Sequence, residues 1–341
     1  MTKLFRTVTP AVENYWRAII LFGRNVASYK FSLGESLLTI ENRADDLVTL
    51  EELAEPFSDA LCRHLLISDK QTTSSGSRFL DACRQFNADG LSKTQLIDKT
   101  VRLGFQNVID AFHVVHDGEL NKRFFLDERR VNKGIRLTDH FFELKESLQQ
   151  QNLVQEVESR WRLVETAWEL KVPRVVLPVS FDQDNLELFT SRGAARKTIT
   201  GCRDALNGYQ RGKCFYCYRD VSLVTGSPVL ADIDHFLPHA LKGQVQNLNV
   251  DGIWNLVLCC KDCNRGPGGK FMKVPKENLL ERLHTRNEYL IGSSLPLREV
   301  LCADTGQNAK ARVSFLNSAY KVASELLITT WEPRYVFGTR F

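Results

Sequence analysis

The sequence predicts an α+β protein that is mostly α-helical, with a helical N-terminal domain at 1–185 and a second domain at 186–341. Two observations support this prediction. Apolar residues recur at helical spacing through most of the chain, and two closely spaced cysteine pairs with short strand-like segments lie in the second domain. We place the boundary near 173–178, because proline stands at both ends of this segment and the composition changes there.

Apolar residues at helical spacing define the predicted helices. These helices cover 10–26, 45–66, 92–115, 138–170, 192–210, 275–290 and 309–329. The helix at 92–115 begins with a capping box, Ser92-Lys-Thr-Gln95, in which two side chains satisfy backbone N–H groups of the first turn. The helix at 192–210 is basic and leads directly into the first cysteine pair.

The segment 123–137 differs from the helical pattern around it. Two short apolar stretches, at 124–126 and 134–137, flank a charged segment. This pattern predicts either a β-hairpin, comparable to the wing of a winged-helix fold, or a charged turn exposed to solvent. In a hairpin, basic side chains would line the wing: Arg129, Arg130, Lys133 and Arg136.

The composition is that of a globular protein. Of the 341 residues, 43% are hydrophobic and 25% are charged, which are ordinary values for folded domains. No apolar run approaches the roughly 18 residues that span a bilayer, and the N-terminus lacks the apolar stretch of a secretory signal. We therefore expect a cytoplasmic protein with no membrane partner.

Positive charge is concentrated in the second domain. Residues 191–290 contain 15 Lys and Arg against 9 Asp and Glu, although the whole chain has a net charge of only +4. A local excess of this kind suits an anionic partner such as DNA, and it is also common on solvated surfaces. Three arginines in the predicted C-terminal helices either face nucleic acid or pair with nearby glutamates: Arg282, Arg286 and Arg312.

Nine cysteines in a chain without an export signal indicate thiols and metal binding, and argue against a disulfide framework. Two Cys-x-x-Cys pairs, Cys214/Cys217 and Cys260/Cys263, have the spacing of a structural zinc site with four sulfur ligands. Such a site has no open coordination position, so it would stabilise the fold and take no part in catalysis. Cys259 lies off this spacing, and the remaining cysteines are predicted to be small core residues: Cys62, Cys83, Cys202 and Cys302.

Between and after the cysteine pairs stand an Asp-Ile-Asp-His-Phe-Leu-Pro run ending at Pro238, an Asn-Leu at Asn255, and Asn264 directly after Cys263. Together with the zinc ligands, this arrangement resembles the HNH family of ββα-metal endonucleases. The resemblance covers 210–275, about a fifth of the chain, and extends more weakly towards 330. Residues 1–190 resemble no family that we can name. The resemblance implies a zinc-stapled ββα-metal nuclease domain with helical flanks.

The resemblance implies a role for each matching residue. His235 would be the general base that deprotonates the attacking water, and Asp234 with Asn264 would hold a catalytic divalent cation, Mg²⁺ or Mn²⁺. Asn255 would orient the loop or the His235 ring. The chemistry of the residues agrees with these roles, because imidazole titrates near neutral pH and hard cations prefer carboxylate and amide oxygens.

Neighbouring residues are candidates for substrate binding or support. Arg265 and Lys270 flank the predicted metal-binding asparagine and either bind phosphate or are simply solvated. His239 is either a substrate contact or a polar surface residue, and Asp232 either supports the site or caps its strand. The Gly-Pro-Gly-Gly run at 266–269 predicts that the helix of the motif is short or displaced.

The resemblance therefore implies an HNH endonuclease that cuts or nicks DNA and leaves a 5′-phosphate and a 3′-hydroxyl, in the context of restriction or phage defence. One alternative is a zinc module that binds nucleic acid without cleaving it. A second is a nuclease directed at RNA, and a third is a scaffold subunit of a defence complex, whose main function lies in the helical domain. That domain is expected to bind nucleic acid or a protein partner.

Overall fold

The computed structural model describes residues 11–23, 26–41, 45–74, 76–115, 118–147, 150–169, 179–182, 187–192, 195–245, 248–292 and 297–337. The chain forms two compact units, Met1–Leu153 and Val154–Phe341. This division lies earlier than the predicted boundary at 185/186, which lies outside the described residues. The fold is a mostly helical α+β fold with small sheets and a buried cluster of four cysteines.

The first unit consists mainly of helices. They are α1 (Val12–Phe22), α2 (Tyr29–Thr39), α3 (Leu50–Ile67), α4 (Arg78–Asn87), α5 (Lys93–Lys99), α6 (Val108–Ala111) and α7 (Asp139–Glu146). The next helix, α8 (Gln150–Glu169), contains the point at which the two units divide. The strands are β1 (Leu47–Thr49), β2 (Val114–Val115), β3 (Gly118–Glu119), β4 (Phe125–Glu128) and β5 (Gly134–Leu137).

Capping and aromatic packing explain why these helices form where they do. The predicted capping box at Ser92 and Gln95 is present at the start of α5, and a second box joins Thr49 to Glu52 at the start of α3. The predicted helix at 92–115 is broken after α5, because Thr100–Gly104 adopts a wider π-helical turn. A buried aromatic core holds the helices together: Trp16, Phe57, Phe79, Phe105, Phe112 and Phe124.

Of the two alternatives for 123–137, the structure has the hairpin. Strands β4 and β5 pair antiparallel, and β1 pairs with the other edge of β5. The arginines of the hairpin form ion pairs within the unit. Arg129 binds Asp127 at 2.8 Å, and Arg136 binds Glu128 at 2.7 Å. Because neighbouring carboxylates already neutralise these two guanidinium groups, the hairpin gives little support to a basic, nucleic-acid-binding wing.

After α8, the second unit contains a three-stranded antiparallel sheet of β6 (Val179–Asp182), β7 (Glu187–Arg192) and β8 (Ala195–Gly201). The predicted basic helix at 192–210 is therefore wrong in its first half, and only α9 (Cys202–Gln210) is helical. The β-branched run at 198–200 explains the strand, because threonine and isoleucine favour extended backbone.

The centre of the second unit is an antiparallel hairpin followed by a short helix. Strands β9 (Asp232–His235) and β10 (Leu256–Cys259) pair with His235 opposite Leu256, and α10 (Lys261–Arg265) follows. As the glycine-rich run predicts, α10 is only five residues long. Gly268 continues the chain with a φ of +78°, a conformation that favours glycine.

The remaining elements pack around this hairpin. They are α11 (Glu277–Gly292), α12 (Leu297–Thr305), α13 (Ala309–Leu327), β11 (Val274–Pro275) and β12 (Thr330–Trp331). From α11, the buried guanidinium of Arg286 donates hydrogen bonds to the backbone oxygens of Ile253, Trp254 and Leu256. Arg286 thus belongs to the core. Within the described part of the chain, no helix is both long enough and apolar enough to cross a membrane.

Candidate metal centre and histidine cluster

The cysteine cluster consists of Cys214, Cys217, Cys260 and Cys263, whose sulfur atoms all lie within 4.8 Å of one another. The Sγ atoms of Cys217 and Cys260 are 3.7 Å apart, whereas a disulfide bond holds its sulfurs at about 2.0 Å. All four residues are buried free thiols. A tetrahedron with zinc–sulfur bonds of about 2.3 Å separates its sulfurs by about 3.8 Å. The cluster is therefore consistent with a structural zinc site.

Local turns bring the four sulfurs together. The first pair lies on a turn closed by a 3.0 Å hydrogen bond from the N–H of Tyr218 to the oxygen of Cys214. In the second pair, Cys260 directly precedes α10 and Cys263 lies within it. Burial raises the pKa of the Cys214 thiol well above its usual value. A bound cation would offset this cost by stabilising the thiolates.

Asp234 is engaged in a buried ion pair. Its carboxylate accepts a 2.6 Å hydrogen bond from the Tyr216 hydroxyl and lies 3.1 Å from the Nζ of Lys270. The Lys270 side chain has no exposed surface and also donates to the backbone oxygen of Phe271 at 3.2 Å. The structure therefore gives no support to the predicted phosphate contact of Lys270, because this ammonium does not face solvent.

Asn264 makes its contact with a different carboxylate. Its side-chain amide donates to Asp232 at 3.1 Å, and Arg265 forms an ion pair with the same carboxylate at 3.0 Å. Side chains alternate along a strand, so Asp232 and Asp234 share the face of β9 that meets α10, and His235 points to the opposite face. The oxygens of Asp234 are engaged by Lys270 and Tyr216, so a cation at the predicted site of Asp234 and Asn264 would have to displace Lys270 from the carboxylate.

On the opposite face of β9 lies the histidine cluster, which we define as His235, His239 and Asp251. The Nε2 atom of His235 is 2.9 Å from the Oδ1 atom of Asp251, and the Nε2 atom of His239 is 3.3 Å from the same oxygen. The two imidazole centroids are 5.0 Å apart. The other oxygen of Asp251 binds the Nζ of Lys242 at 2.6 Å. The cluster opens to solvent through His239, whose side chain is 40% exposed.

Asn255 joins the two arms of the loop that carry this cluster. Its side chain is fully buried and accepts a 2.7 Å hydrogen bond from the N–H of Leu237. The same amide donates to the backbone oxygens of Leu237 at 2.9 Å and Val250 at 2.8 Å. Leu237 lies between the two histidines in sequence, and Val250 directly precedes Asp251. Asn255 therefore positions the histidine cluster through the backbone.

Electrostatics set the protonation states in the cluster. Burial lowers the pKa of His235 below its usual value, although the hydrogen bond to Asp251 opposes this shift. Burial acts to raise the pKa of Asp251, but hydrogen bonds from Lys242 and His235 outweigh it and leave the pKa below its usual value. At neutral pH, His235 is thus neutral and Asp251 ionised. Because a carboxylate only accepts hydrogen bonds, the His235 proton belongs on Nε2 and the unprotonated nitrogen is Nδ1.

The structure brings some of the predicted residues together and separates others. It joins His235 to His239 and Asp234 to Lys270, and it places Asn264 with Asp232. Two important residues escaped the sequence analysis. Asp251 lies in a loop that contains no recognisable motif. Its position in the sequence close to Asn255 was the only feature that could have indicated a role in the site. Tyr216 is one of the two residues between Cys214 and Cys217, positions at which the motif requires no particular residue, so nothing in the sequence indicated its contact with Asp234.

Comparisons with models of known protein families, with curated proteins and with solved structures find no match to this chain. The resemblance to HNH endonucleases therefore depends on the motif residues alone.

Proposed function

We propose that the chain is a metal-dependent endonuclease of the HNH type that hydrolyses phosphodiester bonds in DNA. The observation that carries the proposal is the contact between His235 and Asp251 at the end of β9, 2.9 Å long and opening towards solvent. It lies in a strand–strand–helix arrangement of β9, β10 and α10, beside a cysteine cluster suited to zinc. This is the arrangement expected of a ββα-metal nuclease domain.

His235 has the properties of a general base. Its pKa is lowered by burial, so the ring is neutral and can accept a proton at neutral pH. With Asp251 holding the proton on Nε2, the proton of the attacking water goes to Nδ1. The water oxygen forms a bond to phosphorus, the bond from phosphorus to the 3′ oxygen breaks, and the 3′ oxygen takes a proton from solvent. The products carry a 5′-phosphate and a 3′-hydroxyl, and Asp251 stabilises the imidazolium.

Two exposed basic side chains near β9, one at the histidine cluster and one on the opposite face, suit contact with a phosphate backbone. The side chains of Lys242 and Arg265 are 60% and 59% exposed, in contrast to buried Lys270. Both are held by a carboxylate near β9, Lys242 by Asp251 and Arg265 by Asp232. Substrate phosphate would compete for these two cations, which is how mobile basic residues usually contact a nucleic-acid backbone.

The reaction would depend on Mg²⁺ or Mn²⁺, which would supply positive charge to stabilise the transition state. Asp234 and Asn264 are the residues implied for that ion. Lys270 would have to leave the Asp234 carboxylate before the ion could bind, because the ammonium already lies 3.1 Å from it. Cation binding at this position is therefore expected to compete with an internal ion pair.

The direct test is cleavage of supercoiled plasmid with Mg²⁺, with Mn²⁺ and with EDTA. We expect cleavage by the wild type with either cation, and none with EDTA. The His235→Ala variant should be inactive while keeping its zinc content and its circular dichroism spectrum. The matched control is His284→Ala, because His284 lies on α11 outside the histidine cluster. Cleavage that persists in His235→Ala, or in EDTA, would refute the proposal.

The ion pair between Asp234 and Lys270 favours one alternative, a zinc module that binds nucleic acid without cleaving it. In that case the carboxylate serves the fold and needs no cation. The wild type would then bind DNA in a mobility-shift experiment and leave the plasmid intact under every metal condition. Parallel substrates of duplex DNA, single-stranded DNA and RNA separate a DNA nuclease from an RNA nuclease.

A further inference from the structure

We propose that His235, His239 and Asp251 form a binding site for a transition-metal ion such as Zn²⁺ or Co²⁺. This site is separate from the cysteine cluster and from the predicted Mg²⁺ position at Asp234 and Asn264. Each of the three residues offers one ligand atom, and these three atoms all lie within 4.8 Å of one another. The Nε2 atoms of both histidines face the Oδ1 atom of Asp251. The proposal goes beyond the nuclease function, because it concerns metal binding that can be measured without any substrate.

The distances suit a small cation without rearrangement of the backbone. Metal bonds of about 2.0–2.1 Å in a tetrahedral shell separate neighbouring ligand atoms by about 3.3 Å. The distances from Oδ1 of Asp251 to the two Nε2 atoms are 2.9 Å and 3.3 Å. An ion seated over this triangle would replace the hydrogen bonds that now join the three side chains, and its remaining positions would face solvent beside the half-exposed His239.

The ligand types determine which metals the site would select. Two imidazoles and a carboxylate are a common ligand set for Zn²⁺ and other first-row transition metals. Mg²⁺ prefers an octahedral shell of oxygen atoms and gains little from imidazole nitrogen. The site should therefore discriminate against Mg²⁺ and bind metals in the order that nitrogen ligands favour, with Co²⁺ weaker than Ni²⁺.

The fold holds the three ligands in place before any metal arrives. After His235, Pro238 precedes a 3₁₀ turn at His239–Leu241, and this turn places the second imidazole beside the first. The fully buried Asn255 fixes both arms of the loop through hydrogen bonds of 2.7–2.9 Å. Because little conformational freedom is left to lose, binding of an ion costs less in ordering the ligands.

Lys242 opposes metal binding but can withdraw. Its Nζ lies 2.6 Å from the second oxygen of Asp251, so it competes with a cation for the charge of that carboxylate. The side chain is 60% exposed and ends on a flexible stem, which lets the ammonium move into water. We therefore expect Lys242→Met to bind the metal more tightly than the wild type does, by about tenfold for one removed charge near a surface site.

Occupation of this site would affect the base proposed above. A metal on Nε2 of His235 places the ring proton on Nδ1, the nitrogen that must accept a proton from water. If the nuclease proposal holds, saturating Zn²⁺ would inhibit cleavage supported by Mg²⁺. This consequence depends on the proposed function, whereas metal binding itself does not.

The test is a titration of zinc-loaded protein with Co²⁺, followed by absorption spectroscopy and by measurement of bound metal. Nitrogen and oxygen ligands give weak visible bands, whereas cobalt on the cysteine cluster gives intense near-ultraviolet bands from thiolate charge transfer. We expect the wild type and His284→Ala to bind one cobalt without the thiolate bands. His239→Gln and Asp251→Asn should lose this cobalt while keeping their zinc. His239 is the safer site for substitution, because its side chain is 40% exposed.

Two results would overturn the proposal. One is a wild type that binds no cobalt beyond the cysteine cluster, and the other is a His239→Gln variant that binds it as tightly as the wild type. Plasmid cleavage gives a separate readout. Failure of the nuclease proposal would leave cobalt binding intact, whereas failure of the metal-site proposal would leave cleavage insensitive to Zn²⁺.

Discussion

The ion pair between Asp234 and Lys270 makes a sharp prediction about stability. The Lys270 side chain is fully buried and that of Asp234 is 9% exposed, so neither charge can be solvated if its partner is removed. Replacing Lys270 by methionine keeps most of the volume of the side chain and leaves the carboxylate with the hydroxyl of Tyr216 as its remaining hydrogen-bond donor. We therefore expect Lys270→Met to be strongly destabilising.

The magnitude follows from the burial of the two groups. Breaking a buried ion pair by removing one partner costs about 3–5 kcal/mol, because an uncompensated charge stays in the interior. Asp234→Asn should cost less, about 2–3 kcal/mol, since an amide oxygen still accepts hydrogen bonds from Tyr216 and Lys270. The double variant contains no unpaired charge, so we expect a coupling free energy of about 2–3 kcal/mol between the two sites.

The assay is urea unfolding followed by circular dichroism, with zinc present throughout and all four proteins of the double-mutant cycle compared. A surface pair provides the control. Lys276 and Glu332 are each about half exposed, so Lys276→Met should change the free energy of unfolding by less than about 1 kcal/mol. The reasoning fails if Lys270→Met lowers the free energy of unfolding no more than this control does. It also fails if the changes in the two single variants add up to the change in the double variant.

Three further predictions concern other parts of the chain. Removing the metal with a chelator, or replacing Cys263 by serine, should unfold the region around β9 and β10, and a circular dichroism spectrum unchanged by metal removal would contradict a structural zinc site. Asn255→Ala removes the side chain that hydrogen-bonds three buried backbone groups, and it should lower the free energy of unfolding by about 3–5 kcal/mol. The control is Asn249→Ala, whose side chain makes an exposed hydrogen bond to Asp304, and it should lower the free energy of unfolding by about 1 kcal/mol or less. Burial lowers the pKa of His113 to about 3. In the unfolded chain the pKa of a histidine is about 6.5, so the folded state binds a proton at His113 less readily than the unfolded state does. The free energy of unfolding should therefore fall by up to about 5 kcal/mol as the pH is lowered from above 6.5 towards 3. The His113→Gln variant should lack this pH dependence, and equal slopes for both proteins would show that His113 is not responsible.

Patterns that depend on neighbours along the chain were readable from the sequence. The cysteine pairs could be identified because each pair lies on one local turn. Both pairs have the Cys-x-x-Cys spacing, which is typical of zinc sites and uncommon elsewhere. The capping box at Ser92 was recognisable for the same reason, and α11 and α13 followed from their apolar spacing. A glycine-rich run after Asn264 correctly predicted the shortness of α10.

Features that depend on distant residues could not be read. Lys270 looks like any surface lysine, and only the folded chain brings Asp234, 36 positions earlier, beside its ammonium. Asp251 carries no motif, and its importance arises because Asn255 draws its loop towards the histidines. The helix predicted at 192–210 was wrong in its first half because strand pairing with β7 outweighs the helical spacing of its residues.

The guanidinium of Arg286 has a consequence for how this domain can be isolated. It contacts three backbone oxygens just before and at the start of β10, yet it comes from α11, beyond the 210–275 stretch in which the motif is recognisable. A fragment limited to residues 210–275 would keep every proposed metal ligand but would lose the Arg286 hydrogen bonds that stabilise the backbone beside the hairpin. The smallest autonomously folding piece should therefore extend at least to the end of α11.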